Sequence, residues 1–432
     1  MRIKNSFDKE DIYKFGLYSF RAGVFLLPSA LIFSIIFLLL SSVISVINCR
    51  KNLLNDNFNK VFLVTTFLMV ISSFIHLYKF STNSLSEIIM SEWDPNLSFI
   101  GLLNWIPLFW CFLTFQIYLD KPKHREICAK CFIFGVIPVI ISGIGQIFFK
   151  WEETITLLNG LIIWYQKELL SPPFGLTGLF SNPNYAGAWF NITLPFSVAY
   201  LIKSANTFFK KYLISFLIII IVLSIVLTNS RAAWGGIILS FIFIFGRKSL
   251  LSLSLVITIT MATITLCFFP IFGEGLQAFL QNLIPIDIWM EFSNLNFIDR
   301  PSRVDIWKSS IEIIKDHPFF GSGASTFLIL TRGLFTHTVN HSHNLPLEIA
   351  LNYGIPTLIL IAGTITTLIF TASRKIFFSN EYKGTYQIYD RAWISSLMIL
   401  IVSHLVDIQY FDGRISIASW ILIAGLRSFL RN

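Results

Sequence analysis

Residues 212–228 read YLISFLIIIIVLSIVLT, and after Asn229-Ser230-Arg231 a second uncharged run, AAWGGIILSFIFIF, fills positions 232–245. Crossing about 30 Å of hydrocarbon takes roughly 20 predominantly apolar residues. Runs of this kind recur on both sides of the pair, at Leu31–Ile47, Val61–Tyr78, Phe99–Leu119, Phe132–Phe149, Tyr185–Ile202, Leu250–Phe269, Ile355–Ala372, Trp393–Ile408 and Ile415–Leu430. Of the 432 residues 54% are hydrophobic and 13% charged, whereas soluble domains carry about a quarter charged residues. The chain therefore reads as an all-α polytopic membrane protein, a single integral membrane domain over residues 1–432. The net charge of +9 would suggest a nucleic-acid partner in a soluble protein. Here the basic residues lie in short turns between spans, as the positive-inside bias predicts, and no nucleic-acid partner is implied.

Those turns set an orientation. The groups Lys121, Lys123, Arg125 and Lys130, then Lys203, Lys210 and Lys211, then Arg247 and Lys248, then Arg374, Lys375, Lys383 and Arg391 are expected on the cytoplasmic side. Residues 87–97, 151–184, the tight turn at Ser230-Arg231 and a long loop over 271–344 then face outward. Counting back puts Arg50 and Lys51 inside, so a single first span would strand the basic N-terminus outside. The conflict goes away if Ile12–Ile47 is two short spans broken near Pro28, a helix-interrupting residue, which makes about twelve transmembrane helices. The run Ile155–Tyr165 is too short to cross and is expected to form an interfacial or re-entrant helix. The first spans carry charge as late as Arg21 without a small-residue cleavage site, so they are expected to remain in the mature protein. Cys49, Cys111, Cys128, Cys131 and Cys267 are expected as free thiols, since Cys128-x-x-Cys131 has no second pair to complete a zinc site.

Between these runs, Asp299–Gly354 is polar and carries Arg300, Arg303, His337, His341 and His343. Lipid offers no partner to ionised groups, so such a cluster at a membrane edge marks a candidate site. Ser302-Arg303-Val304-Asp305 has the capping-box arrangement, which predicts a helix from Arg303 to about Asp316, ended by His317-Pro318. Three further outward segments stand out: Gly178-Leu-Phe-Ser-Asn-Pro-Asn-Tyr185, Thr228-Asn-Ser-Arg-Ala-Ala-Trp234, and His343-Asn344 followed after nine residues by Gly354-Ile-Pro-Thr357.

In that order, together with Arg303-Val-Asp-Ile-Trp307 and Pro318-Phe-Phe-Gly-Ser-Gly323, these segments resemble the O-antigen ligase family, part of the superfamily of O-antigen polymerases and ligases. The resemblance covers residues 174–407. It implies a fold similar to the GT-C glycosyltransferases, with about a dozen helices and one large periplasmic loop, here 271–344. It implies transfer of a glycan from undecaprenyl diphosphate to an acceptor hydroxyl, of lipid A core or another glycan or lipid, without metal or other cofactor. The setting would be the bacterial inner membrane, with the site facing the periplasm. Arg231 and Arg303 would be the essential arginines of the donor site and His343 the essential histidine.

Those roles suit the side chains. A diphosphate leaving group needs fixed positive charge, and guanidinium binds phosphate oxygens bidentately. Arg231 at the membrane boundary can do this, or can simply snorkel to the headgroups. Arg303 at a helix start adds the positive end of the helix dipole to its own charge, or pairs with Asp299 or Asp305. His343 can act as general base, with attack opposite the departing diphosphate inverting the anomeric configuration; alternatively it caps the helix beginning near Leu345, a task shared with Asn344. Arg300, Asn182, Asn184 and Asn344 are further substrate-binding candidates, although the Asn-Pro-Asn turn could merely open the next span. His404 and Asp407, expected on one helix face, either orient His343, bind the acceptor or pair with each other. Zinc on His337, His341 and His343 is disfavoured, because neither cysteine nor carboxylate completes the set. Trp151, Trp164, Trp234 and Trp307 read as interfacial anchors. A polymerase and a protein O-oligosaccharyltransferase share the expected chemistry. An inorganic-anion transporter, bicarbonate being an example, is the competing class, but it would be expected to show internal repeats and broken midplane helices.

Overall fold

A computed structural model describes residues 9–53, 55–81, 93–170, 174–203, 206–245, 273–283, 301–335, 337–378 and 387–431, with a few helical positions between 258 and 266. The expected span Leu250–Phe269 lies outside the described residues except at those positions. Arg247, Lys248, Arg300, Cys267 and Lys383 lie outside them altogether.

The chain opens with α1 (Lys9–Leu26) and α2 (Leu31–Leu53), separated by a turn that contains Pro28, where the sequence asks for a break. The two helices pack closely because Gly23 has no side chain: a Cβ there would stand 2.6 Å from Leu38 Cγ, and Ser34 Oγ donates to the Gly23 carbonyl at 2.7 Å. Then follow α3 (Asn57–Ser81), the short α4 (Leu97–Leu102) and α5 (Ile106–Phe115), α6 (Pro122–Gly135) and α7 (Ile137–Phe149). Phe62, Phe109 and Phe112 of this half interlock through ring contacts with Trp420 of the last helix, with ring centroids 4.8–5.1 Å apart for the closest pairs.

The expected interfacial helix at 155–165 is instead an antiparallel hairpin, β1 (Ile155–Leu157) with β2 (Ile162–Trp164), in register Ile155 to Trp164. The reason lies in the residues. β-Branched Ile155, Thr156, Ile162 and Ile163 favour a strand, and Leu158, Asn159 and Gly160 adopt positive φ in the connection, with Asn-Gly a strong hairpin-turn signal. Trp164 Nε1 donates to the Ser29 carbonyl at 2.7 Å, which pins the hairpin to the α1–α2 turn.

The second half runs α8 (Pro183–Lys203), α9 (Phe208–Leu227), α10 (Arg231–Phe245), α11 (Glu274–Leu283), α12 (Arg303–Asp316), the single turn α13 (Phe327–Leu330), α14 (Leu345–Tyr353), α15 (Ile355–Ser373), α16 (Gln387–His404) and α17 (Gly413–Arg431). Among the described residues seven helical segments are long and apolar enough to cross a membrane, and α10 is a shorter apolar helix. The architecture is that of a multi-pass membrane protein. Helices α8 and α16 fall outside the seven and are nearly enclosed by neighbours, which lets them carry Asn191, Ser395 and Ser396 internally. Asn191 Nδ2 donates to the Ala233 carbonyl at 3.0 Å, and Ser396 Oγ to the Ile192 carbonyl at 2.8 Å.

The segment Pro318–Gly323 docks on the α14–α15 junction backbone to backbone. Ser322 N donates to Leu351 O at 2.7 Å and Ile355 N to Pro318 O at 2.8 Å. Gly321 (φ +70°) and Gly354 (φ +89°) make this approach possible, since a Cβ at Gly321 would stand 2.5 Å from the Asn352 carbonyl carbon and one at Gly354 would run into Phe319 O. Gly321→Ala and Gly354→Ala are each expected to destabilise the protein by about 1–3 kcal/mol. Thermal denaturation of the detergent-solubilised variants measures this, and midpoints equal to wild type would contradict the close docking.

Candidate active site

The site is assembled around one carboxylate. Helix α16 stops at His404, and the chain turns through Leu405 and Val406 so that Asp407 sits just beyond the helix end, its N–H donating to the Ser403 carbonyl at 3.0 Å. His404 and Asp407 therefore do not lie along one helix face as expected, because the helix ends between them. Asp407 Oδ1 accepts from His343 Nδ1 at 2.8 Å, and Oδ2 accepts from Asn184 Nδ2 at 2.8 Å. Arg303 Nη2 stands 3.7 Å from Oδ1. Burial pushes the Asp407 carboxyl up, but the hydrogen bond from His343 and the charge of Arg303 outweigh it and hold the group below its ordinary value. An ionised carboxylate only accepts, so Nδ1 of His343 is the donor in this bond, and Nε2 is the ring nitrogen not engaged by Asp407.

Local sequence places each partner. Asn182 Oδ1 accepts from Asn184 N at 2.8 Å, an Asx turn that starts α8 and aims Asn184 at Asp407. Upstream, Gly175 (φ +122°) lets the loop lie against the end of α9, where Leu176 N donates to Leu227 O at 2.8 Å. Buried Arg414 donates to the Leu179 carbonyl at 3.0 Å, lies 4.2 Å over the Phe180 ring and pairs with Asp412 at 3.1 Å.

The histidine strand is held from beneath. Buried Glu348 accepts from Ser342 N at 2.9 Å and from Asn352 Nδ2 at 3.1 Å, and its desolvation outweighs these bonds to push its carboxyl up. Asn344 is the N-cap of α14, accepting from Leu347 N at 3.1 Å, while its Nδ2 donates to the Leu405 carbonyl at 2.8 Å. Capping thus falls to Asn344, and His343 next to it adopts φ +52°, a conformation costly for a non-glycine residue. His341 Nδ1 accepts from His343 N at 3.2 Å with the two rings 4.1 Å apart. Desolvation, reinforced by neighbouring His343 and Arg303, pushes His341 down to about 4, so it is uncharged at neutral pH.

A cleft of about 780 Å³ opens over this arrangement, lined by Arg231, Ser302, Arg303, His337, His341 and His343, within the size range of ligand sites. Arg303 is the first residue of α12, whose N-cap Ser302 accepts from Asp305 N, as the capping box requires. Arg231 opens α10, capped by Ser230 Oγ accepting from Ala233 N at 3.4 Å. Two guanidinium groups and two helix N-termini thus face one cleft, a favourable setting for an anion. Among the described residues no group of three His, Cys, Asp or Glu side chains converges to hold a metal ion.

The structure thus brings together Arg231, Arg303 and His343 at the cleft, with Asp407 and Asn184 behind the histidine. The side chains of Asn182 and Asn344 are committed to hydrogen bonds within the protein, and His404 lies buried away from the cleft. Sequence reasoning passed over Glu348 and Arg414. A carboxylate within apolar LPLEIALNY and an arginine opening α17 were the signals, because a charge in an apolar run asks for a buried partner.

No curated protein matches the chain. Residues 215–362, about a third of its length, match the family model of O-antigen ligase, a stretch that contains Arg231, Arg303 and His343 and excludes Asn184 and Asp407. On that match residues 215–362 are similar to the O-antigen ligase family.

Proposed function

We propose that the protein transfers a glycan from undecaprenyl diphosphate to an acceptor hydroxyl at the periplasmic face of the inner membrane, without a metal. The domain match supports a glycosyltransferase of the ligase or polymerase type acting on lipid-linked glycans. The observation that carries the mechanism is His343, oriented by ionised Asp407, sharing one cleft with Arg231 and Arg303.

The donor diphosphate lies between the two arginines. The acceptor hydroxyl oxygen attacks the anomeric carbon from the opposite side while its proton passes to His343 Nε2. The bond from that carbon to the diphosphate oxygen breaks, and its electron pair leaves on polyprenyl diphosphate, inverting the anomeric centre. Asp407 stabilises the imidazolium that forms, as an orienting carboxylate does in other histidine-based catalysis, and Asn184 keeps the carboxylate in place. His341 stays uncharged and supports the backbone of His343.

Complementation of a strain lacking the gene tests the reading. Wild type is expected to restore surface polysaccharide, whereas His343→Ala and Arg303→Ala at matched protein levels are not. Full-length glycan then accumulates on undecaprenyl diphosphate if the enzyme is a ligase, and single repeat units accumulate if it is a polymerase. Normal polysaccharide in every strain would sink glycan transfer and direct attention to anion uptake.

Asp407→Asn is expected to lower the transfer rate of purified protein by about 10²–10⁴-fold, and a rate within twofold of wild type would remove Asp407 from the mechanism. His341 carries a pH signature. Its folded value of about 4 lies below the ordinary 6.5, so the unfolded chain takes up the proton first and stability drains away as pH falls from 6.5 toward 4. The stability advantage of wild type over His341→Phe should therefore be full above pH 6.5 and shrink below it. A pH-independent difference in denaturation midpoints would show that His341 is not held uncharged.

A further inference from the structure

Two histidines stand side by side at the cleft, and the mechanism above gives a chemical step to one of them. His341 lines the cleft with its ring centroid 4.1 Å from that of His343. Its Nδ1 accepts from the backbone N–H of His343 at 3.2 Å. A backbone N–H can only donate, so Nδ1 bears no proton. The ring is uncharged, because desolvation disfavours the imidazolium, and its single proton is therefore on Nε2. That atom has no hydrogen-bond partner among the described residues and is not itself buried, so its N–H is open at the part of the ring that lines the cleft.

The N–H is also held still. Ser342, between the two histidines, donates its N–H to Glu348 at 2.9 Å and its Oγ to the Asn344 carbonyl at 2.9 Å, and the bond from His343 N ties the imidazole to the same strand. The Phe411 ring lies 6.3 Å from that of His341. A donor fixed before the substrate arrives needs no reorganisation during the reaction. Its charge state narrows what it can serve. Arg231 and Arg303 line the same cleft and take the diphosphate, which needs cations. The carbon that loses the diphosphate builds up positive charge, as in glycoside cleavage, so a further cation beside it would oppose the reaction whereas a neutral N–H does not. The attacking hydroxyl gives its proton to His343, and a second donor on that oxygen would hold back its lone pair. The group left to meet Nε2 is the sugar itself.

We propose that His341 is a second catalytic residue, whose Nε2–H donates a hydrogen bond to a hydroxyl or carbonyl oxygen of the sugar being transferred, beside the reacting anomeric carbon. The inference rests on the glycan-transfer reading above and adds a contact to the reacting sugar that the reading lacks. The two nitrogens of one imidazole then have separate tasks: Nδ1 fixes the backbone of the base, and Nε2 fixes the sugar that the base's partner attacks. Hydrogen bonds to the oxygen next to an anomeric carbon strengthen as that carbon becomes positive. Such a bond contributes to kcat more than to donor binding.

The test separates the two nitrogens. His341→Asn keeps an acceptor near the place of Nδ1, since an asparagine Oδ1 takes the N–H two residues on in an Asx turn, and leaves nothing where Nε2 was. His341→Phe removes both. Purified full-length protein in nanodiscs is assayed with lipid-linked glycan accumulated in a strain lacking the gene as donor and glycolipids extracted from that strain as acceptor. Sites are counted by donor binding, so that unfolded protein does not enter kcat. His341→Asn is expected to lower kcat at least about tenfold, with the half-saturating donor concentration within about threefold of wild type. His341→Phe is expected to fall at least as far and to melt at a lower temperature than His341→Asn. A kcat for His341→Asn within about twofold of wild type would leave His341 as a support for the backbone alone and overturn the proposal while glycan transfer stands. A loss confined to half-saturation would make the contact one of substrate binding and overturn the catalytic role as well. Absence of transfer by wild type would instead remove the glycan-transfer reading, and this inference with it.

Discussion

The two hydrogen bonds accepted by Asp407 hold the site together. One comes from Asn184 at the start of α8 and the other from His343 before α14, and the carboxylate itself lies just past the end of α16. An anion buried at a membrane edge is tolerated only when it is paired and hydrogen-bonded, and here pairing with His343 and Arg303 meets that demand. The requirement works in both directions. Asp407 stays ionised because of its partners, and the partners are brought into one cleft because each is bound to Asp407 or packed beside a group that is.

Backbone docking supplies the rigidity. His343 sits at positive φ, a state that surrounding contacts must impose. Glu348 grips Ser342 from below, Asn344 is fixed at both ends of its amide, and α14 is locked by Pro318–Gly323 at its far end. The glycines in that lock are needed where backbone meets backbone, at Gly321 and Gly354. A motif that reads as chemistry is in part a packing motif: Pro318-Phe-Phe-Gly-Ser-Gly323 holds the helix that positions the histidine and lines no part of the cleft.

Elsewhere buried ions tie the helices of the first half to those of the second. Arg125 and Asp390, each 2% exposed, meet at 2.8 Å, and Arg125 also donates to the Leu119 and Asp120 carbonyls. Asp56 accepts from both Arg427 and Arg431. Each pair spans hundreds of residues of sequence. Removing one partner would leave a charge buried and unmatched, so such pairs specify which helices adjoin more than they add net stability.

How much was legible beforehand follows from the range of each interaction. The apolar runs, the break at Pro28, the Ser302 cap and the Asn344 cap were readable because they depend on neighbours within a few residues and on the thickness of hydrocarbon. The hairpin at 155–165 was readable in principle from Asn159-Gly160 and its β-branched flanks, but its length between charges suggested an interfacial helix instead. Motif spacing marked Arg231, Arg303 and His343 one at a time. Asp407 stood out as a charge at a span end, with orienting His343 as one of three readings, and Asn184 as a substrate-binding candidate; the convergence of these residues, the choice among those readings, and the parts of Glu348 and Arg414 came only from tertiary structure. Asn184 and Asp407 are 223 positions apart, and Asp407 and His343 are 64 apart. No local pattern encodes such pairs. They form because burial at the membrane edge leaves each polar group no solvent to turn to, and only the packed helices determine which partner lies within reach.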